Sequence, residues 1–197
     1  MNASSFNKFK SNINTGVIHG DIKPQNVLVF NDATGSATVK VADFGYSTLT
    51  ASEDLGSDTQ GPQGGIRLPK SRPWNAPEHN FEGFTATAAK KADVYSFGML
   101  CLWILFGSAN PPLNGMDHMS GISFGAPGRL EPRTSLEQLK DDDKVEYTAR
   151  ELIQSVSSLS DEHKSLLQEF FSMTVPSDPE KRTSDIRKLV ELLHQAR

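Results

Sequence analysis

Between Ala88 and Phe106 the chain is apolar on nearly every face of a helix, and this stretch limits the possible folds more than any other feature. A helix without a polar face has to be surrounded by other elements. Its longest unbroken apolar run, Met99 to Phe106, falls far short of the ~20 residues needed to span a bilayer, so the covering has to be protein. The sequence therefore predicts a helical body around a buried helix, with no membrane partner.

The chain has 197 residues, enough for one domain with a sizeable core. Gly107 to Pro132 is Gly/Pro-rich and irregular, and three helical stretches follow it. Ser135 to Ser157 predicts one charged, amphipathic helix. Ser160 opens a second that runs to about Met173, with His163 where a capping box has Glu or Gln. Thr183 or Ser184 caps the last, in which Ile186, Leu189, Val190 and Leu193 form one apolar stripe. Upstream, Val27 to Phe30 and Thr38 to Ala42 are short β-rich runs joined by the turn-forming Asn31 to Ser36, which predicts a hairpin. Residues 46–73 are rich in Gly, Ser, Thr, Pro and Asp without an apolar period and read as a long loop. The predicted class is mainly α with a small β-hairpin.

Composition narrows the function. A formal net charge of −4 gives no bulk attraction for nucleic acid. The single cysteine, Cys101, excludes a disulfide framework; it reads as a buried core residue and fits an intracellular setting, cytoplasmic or nuclear. Met1 to Asn14 lacks the apolar centre of a secretory signal. His19, His79, His118, His163 and His194 are scattered without metal-ligand spacing.

Two clusters carry chemistry. The first is His19-Gly20-Asp21-Ile22-Lys23-Pro24-Gln25-Asn26, ahead of the first predicted strand. In such a loop one carboxylate can orient a hydroxyl and accept its proton, a lysine can neutralise a transferred phosphate, and an amide oxygen can help hold a metal. The second is Asp43-Phe44-Gly45, directly after the second predicted strand, where a carboxylate is a candidate magnesium ligand. Each is unspecific alone; their order and their separation by a hairpin are specific.

Together the clusters resemble the catalytic loop and the Asp-Phe-Gly motif of eukaryotic-type protein kinases. Ala76-Pro77-Glu78 resembles the motif that closes the family's activation segment. Ala92 to Gly98 resembles the start of the long helix of the kinase large lobe, and Asp178 to Thr183 the turn before its last helix. The resemblance runs from about Gly16 to Leu193. It implies that residues 16–197 form a kinase-like C-terminal lobe (α+β), with the catalytic loop at 19–26 and the activation segment at 43–78, while residues 1–15 do not conform.

The resemblance also implies roles. Asp21 is the expected catalytic base, Lys23 the residue that touches the transferred phosphate, and Asn26 and Asp43 the magnesium ligands; the cofactors are ATP and Mg2+, and the substrate a protein. Lys23 is similar to the Ser/Thr class, and Ser71 is placed to hydrogen-bond Asp21 and Lys23. Glu78 and Arg182 are expected to form a structural ion pair, Asp93 to brace the catalytic-loop backbone, and His19 to pack beside Phe44.

Three departures stand out. Gly20 replaces the Arg that commonly pairs with a phosphorylated activation-loop residue, so Ser47, Thr48, Thr50, Ser52, Ser57 and Thr59 read as plain polar loop residues. Lys70-Ser71 replaces the family's usual Gly-Thr. No Gly-rich phosphate loop, strand Lys or helix Glu lies in Met1 to Thr15, and Gly61 to Gly65 does not match one. The expectation is a kinase domain without its small N-terminal lobe, inactive as an isolated chain. Alternatives are a non-catalytic kinase-like interaction module and, from the His-Gly-Asp and Asn spacing alone, a small-molecule phosphotransferase.

Overall fold

The computed structural model describes residues 16–31, 33, 35–49, 65–79, 83–106 and 136–195. The expectations for residues 1–15, for the centre of the long loop and for 107–135 lie outside them. Residues 1–97 and 98–197 form two compact units, with the boundary inside the long helix.

In the first unit, strand β1 (Val17–Ile18) is followed by a 3-10 turn at Pro24–Asn26 and by strands β2 (Val27–Asn31) and β3 (Ala37–Val41). β2 and β3 form the predicted antiparallel hairpin, in the register Val27↔Val41 and Val29↔Val39. Valine and phenylalanine favour this pleated backbone. Leu28, Val29, Phe30 and Val39 nevertheless remain exposed, Val29 by 61%. The Ala42 N–H donates to the Asn26 carbonyl at 2.8 Å and fastens the hairpin base.

The loop expected over 46–73 is corrected at both described ends. Residues Thr48–Leu49 form β4, which pairs antiparallel with β1 as Val17↔Leu49 and Ile18↔Thr48. Farther on, Ile66 and Phe84 form an antiparallel bridge, with N–H to carbonyl distances of 2.8 and 2.9 Å. Two-residue strands and single bridges leave no period in a sequence, which is why composition alone reads as loop.

Helix α1 spans Ala86–Phe106. Thr85 starts it: its Oγ1 accepts the Ala88 N–H at 3.2 Å, an N-cap three residues ahead of the expected start at Ala88. The helix is buried at Ala89, Ala92, Val94, Tyr95, Met99, Leu100 and Leu102, as its apolar faces predict, but Ile104 and Leu105 in its last turn are exposed.

In the second unit, the single helix expected over 135–157 is two: α2 (Leu136–Asp141) and α3 (Val145–Ser155). The break has a clear geometry. Asp143 adopts a left-handed φ of 55°. The Lys144 N–H donates to the Leu139 carbonyl at 2.8 Å and the Asp143 N–H to that of Lys140 at 3.1 Å. This is a Schellman C-cap with aspartate where glycine is usual. Ser177 Oγ donates to the Asp143 carboxylate and holds the turn.

Helix α4 (Asp161–Ser172) begins as predicted, with Ser160 accepting the His163 N–H at 3.2 Å. Its buried Phe170 and Phe171 meet edge to face at 5.1 Å, and Phe106 lies 6.3 Å from Phe171. Helix α5 (Ile186–Gln195) buries Leu189 and Leu192. Its first turn is capped by Asp185, which accepts the Arg187 N–H at 3.0 Å, rather than by Thr183 or Ser184; Thr183 instead accepts the Asp185 N–H. Buried Arg182 ties the preceding turn together, donating to the carbonyls of Pro176 at 2.7 Å and Ser177 at 3.0 Å. Among the described residues no helix is long and apolar enough to cross a membrane.

Candidate functional site

The site is assembled on the exit of β1. The chain leaves Ile18 and enters His19 and Gly20, whose N–H groups donate to the two carboxylate oxygens of Asp93 on α1, at 2.6 and 2.9 Å. The expected brace is therefore in place, each oxygen holding one amide. Burial pushes the Asp93 carboxyl up from 3.8 to about 6, against the lowering pull of those two bonds and of His19, while Asp21 adds a smaller rise.

His19 sets the spacing of the two sequence clusters. Its Nδ1 accepts the Asp21 N–H at 3.2 Å, so the ring proton sits on Nε2, which donates to the Ala42 carbonyl at 3.0 Å. The ring meets Phe44 edge to face at 5.1 Å, as expected from the sequence. One imidazole thus joins the loop carrying Asp21 to the residue just before Asp43. Ser47 adds a second tie, its Oγ donating to the His19 carbonyl at 3.0 Å. Sequence reasoning set Ser47 aside as loop; only the β1–β4 register brings it opposite His19, and no local signal shows that.

Asp21 is 4% exposed. Its Oδ2 receives Lys23 Nζ at 2.6 Å and Asn26 Nδ2 at 3.3 Å. Asn26 Nδ2 also donates to the Asp21 backbone carbonyl at 2.8 Å, which fixes the amide so that its oxygen points elsewhere. The other carboxylate oxygen, Asp21 Oδ1, is buried and has no hydrogen-bond partner. Lys23 Nζ reaches on to Ser71 Oγ at 3.3 Å. The expected contact of Ser71 thus runs to Lys23, which in turn holds Asp21.

Asp43 stands apart from this triplet. It is exposed, its φ is 62°, and its Oδ1 accepts the Gly45 N–H at 3.3 Å in its own turn. Asp21, Lys23 and Asn26 are thus brought together by side-chain bonds, and Asp43 is linked to them through the backbone, by Ala42, Asn26 and His19. No group of three or more His, Cys, Asp or Glu suited to a metal occurs among the described residues. The Asn26 amide oxygen and the Asp43 carboxylate are hard oxygen donors. They suit a magnesium ion that takes its remaining ligands from phosphates and water better than a metal in an all-protein cage.

Buried carboxylate, lysine, oriented amide and exposed carboxylate make a set able to accept a proton, neutralise a phosphate and hold a divalent cation. Residues 12–195 match the protein kinase domain. The receptor-interacting serine/threonine-protein kinase 1 of Homo sapiens is 31% identical over 148 residues, 70% of this chain and 19% of that protein. The calmodulin-binding receptor-like cytoplasmic kinase 1 of Arabidopsis thaliana is 35% identical over 129 residues, 66% of this chain and 23% of that protein. The G-type lectin S-receptor-like serine/threonine-protein kinase B120 of the same plant is 32% identical over 108 residues, 55% of this chain and 11% of that protein. The chain thus spans less than a quarter of the length of these relatives, and on the match over 12–195 it belongs to the protein kinase domain family.

Proposed function

We propose that residues 16–197 are the large C-terminal lobe of a protein kinase domain, and that they supply the phosphoryl-transfer half of an ATP- and magnesium-dependent Ser/Thr kinase site. Asp21 is the base toward the substrate hydroxyl. Lys23 neutralises the phosphate in transit, and Asn26 and Asp43 hold magnesium. When bound, ATP supplies the phosphoryl group and magnesium offsets its charge.

The observation that carries this reading is the bare Asp21 Oδ1. A buried carboxylate oxygen without a donor is costly, and folded proteins rarely leave one. Lys23 and Asn26 occupy Oδ2 alone, which leaves Oδ1 as the spare acceptor; because it is buried, a substrate hydroxyl has to displace what covers it in order to donate there while the ammonium stays beside it. The Ser/Thr class follows from Lys23 and from the names of the relatives above. A protein substrate and an intracellular setting belong to the same reading.

Family members also grip ATP with a Gly-rich loop, a strand Lys and a helix Glu. Residues 16–197 contain no match to that set. The 197-residue chain is therefore expected to show no transfer of label from ATP to a generic protein substrate in the presence of magnesium. A form carrying a kinase small lobe fused ahead of Gly16 is expected to show transfer, and Asp21→Asn to remove it while the circular dichroism spectrum is kept. Label transfer that survives Asp21→Asn refutes the assignment of the base. Transfer by the unfused chain that Asp43→Ala abolishes refutes the need for a separate ATP grip. A non-catalytic interaction module is favoured by one observation, the exposed Leu28, Val29, Phe30 and Val39 on the hairpin; a fused form that folds and binds magnesium-ATP but transfers nothing supports it.

A further inference from the structure

Gly20 is more than the absence of an arginine. Its φ is +83°, a region that residues with a Cβ rarely adopt. A Cβ built there lies 3.1 Å from the Tyr46 carbonyl oxygen, 3.1 Å from Leu68 Cδ2 and 3.4 Å from Tyr46 Cβ. The two neighbours come from opposite described ends of the 43–78 segment, one just after Asp43-Phe44-Gly45 and the other just before Ser71.

The backbone of all three parts is held. The Gly20 N–H is held by Asp93 Oδ1 at 2.9 Å. Tyr46 is followed by Ser47, whose hydroxyl holds the His19 carbonyl, and by the β1–β4 pairing. The Leu68 carbonyl accepts from His79 Nε2 at 2.9 Å, and Ile66 is bridged to Phe84. Leucine can turn its tip aside, but the Tyr46 carbonyl is backbone. Three residues beyond Leu68, Ser71 meets Lys23 at 3.3 Å.

We propose that Gly20 is a positioning residue on which both ends of the 43–78 segment close by direct packing, so that Ser71 is held at Lys23 without a charged side chain at position 20. The surroundings of Gly20 are built for a residue without a side chain. Restoring the family's arginine by Gly20→Arg then loosens the segment instead of tightening it. This proposal rests on the functional reading above for its importance to transfer, but its geometry stands apart from activity.

Hydrogen exchange on the full chain tests it without any phosphotransfer. Gly20→Ala and Gly20→Arg are expected to raise amide exchange in residues 65–72 and 44–49 by about tenfold, with α4 and α5 unchanged. Gly20→Asn keeps the left-handed backbone accessible but carries the Cβ, and is expected to loosen the same two stretches. Leu68→Ala combined with Gly20→Ala is expected to add less than the two single changes together, because one clash is gone. Wild-type protection in Gly20→Asn or Gly20→Arg overturns the proposal, as do a rise spread evenly over both units and strict additivity in the double variant. An inactive fused kinase with intact protection at 65–72 counts against the proposed function and not against this role. An active one whose protection ignores Gly20→Arg counts the other way.

Discussion

Asp93 offers a quantitative test of how the site is braced, through the replacement Asp93→Asn. Its carboxylate holds the N–H groups of His19 and Gly20, and burial lifts its pKa from 3.8 to about 6. A raised folded-state value means that the fold binds the proton more tightly than the unfolded chain does. The contribution to stability is fully present below about pH 4 and is lost as pH rises through about 6. About two pK units at about 1.4 kcal/mol each put the loss near 3 kcal/mol, an upper figure because water reaches part of the group. Asparagine does not titrate and has one oxygen for two N–H donors, so its own deficit is the same at every pH. Urea unfolding followed by tryptophan fluorescence, on both proteins from about pH 4 to about pH 7, reads the difference. The stability advantage of wild type over Asp93→Asn is expected to shrink by about 2–3 kcal/mol across that window. An advantage that is constant, or that grows with pH, refutes the claim that burial outweighs the two backbone bonds.

Other positions give simpler outcomes. Gly98 sits inside α1 where a Cβ lies 2.6 Å from Thr174 Oγ1 and 2.7 Å from Val175 Cγ1, so Gly98→Ala is expected to destabilise by about 1–3 kcal/mol despite the better helix propensity of alanine, read by thermal unfolding. Burial pushes the Cys101 thiol up to about 12; alkylation by iodoacetamide near pH 8 is expected to be negligible in the folded chain and rapid in urea. Ser160→Ala removes the acceptor of the His163 N–H and is expected to cost about 1 kcal/mol, measured as a shift in the urea midpoint without change in slope.

The clustering of Asp21, Lys23 and Asn26 was legible in the sequence because it is local. Asp21, Lys23 and Asn26 lie within six residues, and a 3-10 turn at Pro24–Asn26 folds that spacing back so that one carboxylate oxygen meets both partners. The hairpin and the Ser160 cap were legible for the same reason, since each is decided by a few adjacent residues. What escaped was closure at long range or by an unusual residue. The β1–β4 pairing joins two-residue strands across 30 positions of sequence, too short for any alternation to register. The break between α2 and α3 was hidden because aspartate, not glycine, takes the left-handed position at 143. Asp185 was passed over as a cap because Thr183 and Ser184 beside it are equally good candidates by type.

The same distinction explains what holds the site in shape. The candidate site groups sit on a loop and at a strand end, Asp21 and Asn26 buried and Asp43 exposed. Their spacing is set by two residues to which no chemistry is assigned. Asp93 fixes the backbone at His19 and Gly20, and the His19 ring then spans from the Asp21 N–H to the Ala42 carbonyl. Any displacement of the Asp21 loop against the Asp43 turn has to break one of these bonds, and each broken bond leaves a partly buried polar group without a partner. Gly20 belongs to this framework through its lack of a side chain, since the Tyr46 carbonyl and Leu68 close on the space a Cβ takes. A sequence records such a position only as a missing arginine; the physical content of the substitution is the pair of neighbours that moved in.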